Sequence, residues 1–224
     1  MRKAAGSQAS VSRSGATRWA QKYPRVHLVY SYLPFDRSCE KWHNTKIEDA
    51  WKDELQTKLD SFQKLWDKEA PLLLGTTVAE IGKPFQHKEM IATLTLCPIP
   101  SMSIPLLLQV RRFLDGPTQN NPLAPFLFPA LVFHELLHTY VGYYTQIKSA
   151  LLRKYEKEQL HVLTHLHLMA VMQGVYLRLG RKQDLAQIIA KDSASVDKAY
   201  ARAWQIVSEI EGYETFIKEL KRGD

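Results

Sequence analysis

The segment PALVFHELLHTYVGYY, residues 129–144, constrains this chain more than any other. His134 and His138 are four apart, so on a helix both side chains rise from one face, and Glu135 stands beside them. Their neighbours Leu131, Val132, Phe133, Leu136, Leu137, Thr139 and Tyr140 carry no charge, so a helix here is buried nearly all round. A carboxylate buried between two imidazoles costs several kcal/mol unless a metal ion or a proton network compensates it. An accidental spacing in a core helix has to absorb the same three polar groups with no such compensation.

The rest of the chain must supply a core around this helix. With 45% hydrophobic and 24% charged residues, 224 positions are ordinary globular material, enough for one sizeable core. VHLVYSYLPF, from Val26, is β-branched and aromatic between Pro24 and Pro34 and reads as a strand. TKIEDAWKDELQTKLDSFQKLWDKEAPLLLG sets Ile47, Trp51, Leu55, Leu59, Phe62 and Leu65 at helical spacing, and Gly75 and Pro84 punctuate the stretch beyond Leu65. EMIATLTLCPI and SIPLLLQVRRFL are strand-like runs joined by a Pro/Ser turn, a hairpin or neighbouring strands, and DGPTQNNPLAP reads as a loop. Beyond Pro125 the pattern is helical. The 129–144 helix extends to about Ser149, a second runs through KEQLHVLTHLHLMAVMQGVYLRLG to a stop at Gly180, and QDLAQIIA makes a short third. A last helix starts near Ser195 and buries Val196, Tyr200, Trp204, Val207, Ile210, Phe216 and Leu220. The expectation is an α+β fold, a small sheet packed beside the motif helix with a helical C-terminal half, in one domain over residues 26–224.

LVFHELLHTYV resembles the active-site helix of the zincin-type zinc metallopeptidases, whose fold sets a small sheet beside that helix. The resemblance implies a zincin-like fold with Zn²⁺ held by His134 and His138, and Glu135 as the catalytic residue that polarises a zinc-bound water. Metzincins require Gly at 141 and His at 144; Val141 and Tyr144 stand here, which leaves a gluzincin-like arrangement. A catalytic zinc takes three protein ligands and keeps an open position, so a third ligand lies farther along. Glu158, at a gluzincin-like spacing, sits in the charged RKYEKEQ. His165 lies on the apolar stripe of His161, Leu168, Met172, Val175 and Leu179, the inward face of the second helix. If the first helix ends near Ser149, His138 is roughly eleven residues, or about 16 Å, from the turn. A partner on an antiparallel helix must be similarly far along it, which favours His165 over Glu158 as the third metal ligand. His161 and His167 read as supporting or surface groups, Tyr140, Tyr143, Tyr144 and Tyr176 as core, and His27, His43 and His87 carry no motif.

These residues point to an HExxH zinc metallopeptidase acting on a peptide or protein substrate. SIPLLLQV is then either an edge strand that takes an extended peptide or a buried central strand. Two other classes of function use the same residues. ELLH and EQLH, Glu135 to His138 and Glu158 to His161, are two Glu-x-x-His pairs of the kind found in di-iron carboxylate bundles, with Glu54 and Glu209 or Glu214 as further ligands. A zincin-like protein can also keep its motif and act only in binding.

The formal charge of +7 carries no nucleic-acid partner with it. Arg2, Lys3, Arg13, Arg18, Lys22 and Arg25 all precede the first acidic residue, Asp36, and without those six, 24 basic residues face 23 acidic ones. Residues 1–25, rich in Ser, Ala and Arg, read as a disordered basic leader. The leader has no apolar run of secretory-signal length; its acid-poor composition fits a transit peptide and a flexible leader equally, so compartment and oligomeric state stay open. No run of about 18 apolar residues occurs, and no transmembrane helix is expected. Cys39 and Cys97 are expected as free thiols.

Overall fold

Alternation in RVHLVY buries Val26 and Leu28 and leaves Arg25, His27 and Val29 outside, which makes Arg25–Tyr30 a strand, β1. The computed structural model describes residues 22–116, 121–145 and 149–222. Arg25, grouped with the leader from the sequence, is therefore already part of the fold, and leader residues 1–21 lie outside the described ones. A short helix, α1 (Arg37–Trp42), precedes the 33-residue α2 (Asp49–Ile81). That long connection lets β2 (Glu89–Thr95) pair parallel to β1, because parallel neighbours need a crossover of a dozen residues or more. A two-residue strand, β3 (Met102–Ser103), comes next, and then β4 (Leu106–Gln109). β4 adds parallel to β2, and β3 pairs antiparallel on its other side, giving the order β1-β2-β4-β3.

β4 is thus an inner strand. Leu106, Leu107 and Leu108 are buried, β3 takes the outer side, and the Gln109 N–H donates to Ser101 Oγ at 2.9 Å. Of the two readings of SIPLLLQV, the edge strand falls and the buried central strand holds, because the turn joining it to β2 folds back as a strand of its own.

α2 runs through Pro71 and past the Gly75 punctuation, and ends at Gly82, whose φ of 81° is open to glycine and whose N–H donates to the Val78 carbonyl at 2.8 Å. An interior proline costs about 3 kcal/mol. Leu73, Leu74 and Ile81 beyond it are buried, at about 1.5–3 kcal/mol for each large apolar side chain, and that gain keeps the helix going.

The helical half comprises α3 (Leu127–Thr145), α4 (Ala150–Lys154), α5 (Leu160–Arg178), α6 (Lys182–Ser193), α7 (Ala199–Gln205) and α8 (Tyr213–Arg222). α3 packs between α2, β3 and β4 on the sheet side and α5 on the other. α5 also meets α2, α7 and α8, so it is apolar nearly all round. Among the described residues α5 is the one helix long and apolar enough to cross a membrane, but it is mostly buried inside the fold, which accounts for its composition. The single last helix expected from Ser195 is two. Gly212 (φ 80°) separates α7 from α8, and a π-type turn over Ile206–Ile210, with the Glu211 N–H on the Ile206 carbonyl, shifts the register so that Ile210 faces solvent. Val196 falls before α7 and is exposed, whereas Phe216 and Leu220 are buried as expected.

Cys39 and Cys97 are not free thiols: they form a disulfide with Cα atoms 5.9 Å apart. Two cysteines 58 positions apart carry no pairing signal of their own. What joins them is Asp36, whose buried carboxylate accepts the Leu96 N–H at 3.1 Å and the Thr95 and Tyr30 hydroxyls, drawing the start of α1 onto the end of β2.

Candidate metal centre

α3 buries Phe128, Val132, Phe133, Leu136, Leu137 and Tyr140 completely, so its polar residues must be satisfied inside the protein. His134 and His138 rise from one face of α3, and His165 meets them from α5. One nitrogen from each lies within 4.8 Å of the other two. The ring centroids are 5.0 Å apart for His134 and His138, 5.2 Å for His134 and His165, and 4.7 Å for His138 and His165. α3 ends at Thr145, before the expected Ser149, and α4 intervenes. His138 is still seven residues from the end of α3 and His165 five from the start of α5, so the two lie at comparable distances from the connection between the helices.

Protonation and orientation both suit a metal ion. Burial pushes His138 down to about 4 and His165 down to about 3, with neighbouring histidines adding to it, and holds His134 well below the usual imidazole range. At neutral pH all three are neutral, the form that ligates. His165 Nδ1 lies 2.6 Å from the His161 carbonyl oxygen, so Nδ1 carries the hydrogen and Nε2 the lone pair. Among the described residues this buried Nε2 has no hydrogen-bond partner. Leaving such an atom unpaired costs about 1–3 kcal/mol. A cation among the three rings removes that cost. The three histidines can hold a metal ion.

Around them stand groups able to do chemistry. Glu135 is 5% exposed, and burial pushes its carboxyl up to about 7, only partly offset by the Lys191 ammonium. Tyr200, from α7, sets its ring 4.8 Å from His165 and 6.1 Å from His134. Burial, with the Glu135 charge next, lifts its phenol to about 12, so it remains a hydrogen-bond donor at neutral pH. His161 packs its ring 4.6 Å from His165 and holds Nδ1 against the Asp197 carboxylate.

Other candidates are not brought in. Glu158 accepts Arg202 Nε at 2.9 Å and Nη2 at 2.6 Å in the turn before α5, an ion pair apart from the histidine group. Glu54 accepts the Asp115 N–H and pairs with Lys58, while Glu209 and Glu214 are exposed, so the carboxylates of a di-iron site are not assembled. His167 is a buried supporting residue with Nε2 2.6 Å from Glu219, and His27, His43 and His87 are exposed. Tyr140 and Tyr144 donate to the Lys83 and Pro84 carbonyls, and Tyr176 is buried in the core. Sequence reasoning missed Asp197 and took Tyr200 only as part of a stripe. The signal open to it was that His161 and His165 repeat the four-residue spacing of His134 and His138.

No protein-family model, curated protein or solved structure matches this chain.

Proposed function

We propose that this chain is a zinc-dependent hydrolase of zincin-like build that cleaves peptide bonds in a peptide or protein substrate. The observation that carries the reading is the buried, unpartnered Nε2 of His165 beside His134 and His138, with the buried Glu135 carboxyl on the same helix as the latter two. Three neutral imidazoles form a ligand set of catalytic zinc, which keeps one position open, whereas structural sites fill all four. When bound, zinc supplies a Lewis acid for a carbonyl oxygen and makes water acidic near neutral pH. Glu135, a buried carboxyl on the helix that carries two of the histidines, would accept a proton on its carboxylate and return it to the leaving amine. Tyr200 presents a protonated phenol beside the histidines, placed to donate to an oxygen that gains charge. The build of the helical half supports the same reading: α3 and α5, both buried, hold the donors on rigid elements.

Metal analysis of the purified protein should return about one zinc per chain, and chelation should abolish peptide hydrolysis that added zinc restores. Two irons per chain, or no metal, would overturn the proposal. Bound zinc without turnover of any peptide leaves a binding protein.

A further inference from the structure

The histidines of this centre come as two pairs. His134 and His138 are four apart on α3, and His161 and His165 are four apart on α5. The spacing that lets the first pair share one ion applies equally to the second. From these facing pairs we propose that His161 is a fourth ligand of the same metal ion in a closed state of the site, resting on the reading of His134, His138 and His165 as its ligands.

Four observations carry this. His161 lies next to the ligand group, its ring 4.6 Å from that of His165. Its Nδ1 is held by the Asp197 carboxylate, so the hydrogen sits on Nδ1 and the lone pair on Nε2. A carboxylate behind an imidazole is the arrangement that fixes tautomer and orientation in metal-bound histidines. Asp197 is itself anchored, its other oxygen accepting the Ala199 N–H at 2.8 Å at the start of α7. Finally, the His161 and Asp197 side chains are 41% and 43% exposed, so the pair is not locked into the core as His165 is. In the present arrangement the group whose nitrogens lie within 4.8 Å of one another is His134, His138 and His165, without His161, which is the open state.

The consequence is regulatory. Four nitrogen donors fill a tetrahedral ion, whereas three leave the position that hydrolysis needs. His161 then guards the ion from adventitious water and anions and must leave before substrate is processed. Because Asp197 leads directly into α7, which carries Tyr200, displacement of His161 is coupled to the element that presents the phenol.

The test is metal binding, not turnover. Metal-stripped full-length protein is titrated with Zn²⁺ against a chromophoric chelator and with Co²⁺ while its visible d–d bands are recorded. His161→Ala removes the ring but keeps the carbonyl that orients His165, so it isolates the ligand role. His161→Ala should weaken zinc at least about tenfold and change the cobalt spectrum, and Asp197→Asn should weaken zinc about tenfold. Glu158→Ala, in the same turn, should change neither. Melting of the metal-free variants reports on the fold, and His161→Asn gives a second variant if the alanine form does not fold. Unchanged zinc affinity and an unchanged cobalt spectrum in a folded His161 variant overturn the proposal, even if hydrolysis is lost, because His161 then acts on substrate. A wild-type protein that takes up no metal overturns this inference together with the proposed function, whereas one that binds metal identically with and without His161 overturns this inference alone.

Discussion

The proposed reading gives Glu135 and His165 opposite duties, and substitution separates them. In that reading Glu135 moves protons and does not hold the ion, so Glu135→Gln should keep fold and zinc affinity while kcat falls at least about 10²-fold. Unchanged turnover would remove the mechanism. His165→Ala should instead lose zinc severely, since only the α3 pair of the buried triad remains, and lose with it the stability that metal adds to the folded state. Glu158→Ala breaks only its pair with Arg202, which is 39% exposed, and should cost no more than about 1 kcal/mol, with zinc retained. Zinc titration of both variants checks the choice; a His165→Ala protein that binds as tightly as wild type would refute it. The residues legible in the sequence are those whose relation is local. His134, Glu135 and His138 announce themselves by helical spacing, and His165 by its place on an apolar stripe. Asp197 and Tyr200 were not legible, because only the return of the chain through α6 brings them back to α5.

At the scale of elements, α8 is tied to the site's scaffold by one carboxylate. Glu219 accepts the Ala150 and Leu151 N–H groups at 2.7 and 3.1 Å, the Ser149 hydroxyl at 2.7 Å, and His167 of α5 at 2.6 Å. It serves as the N-terminal cap of α4 from another helix, and these hydrogen bonds hold its carboxyl down at about 2 against its desolvation. Glu219→Ala should destabilise the protein by about 2–3 kcal/mol in urea melts without moving zinc affinity. The sign in acid comes from the depressed value: this contribution is full above about pH 4.5 and is lost as pH falls toward about 2. The Cys39–Cys97 bridge closes a loop of 58 positions and is worth about 4 kcal/mol in the chain-entropy view, so a reductant should lower the urea midpoint. An unmoved midpoint in fully reduced protein would count against the bridge. The sequence showed β1, β2, β4, α3 and α5 clearly, since periodicity is a property of the element itself. It did not show that burial carries α2 past Gly75, that β3 covers β4, or that Asp36 brings two cysteines together, since each depends on partners distant along the chain.

For the molecule as a whole, the three clustered histidines are a store of instability that a bound ion would relieve, and pH exposes it. In the metal-free protein His138 and His165 titrate at about 4 and about 3 when folded, and at the ordinary imidazole value of about 6.5 when unfolded. Between those limits the unfolded chain binds more protons, so stability is lost as pH falls below about 6.5, and His134 acts in the same direction. Glu135 has the opposite sign: its carboxyl is raised to about 7, so the folded state binds more protons between about pH 7 and 4.5 and gains stability there as pH falls. Three histidines outweigh one carboxyl. Urea midpoints of the metal-free protein should therefore drop from pH 7 to pH 4.5, a window above the one in which Glu219 titrates. Excess zinc should raise the midpoint at pH 7, adding about 2.7 kcal/mol to the unfolding free energy when free zinc is a hundred times its Kd. Glu135→Gln supplies the internal control, because it removes the carboxyl beside the histidines that opposes them. Its acid loss should be steeper than that of wild type, and a shallower one would mean that the buried carboxyl is not the proton-binding partner the site requires.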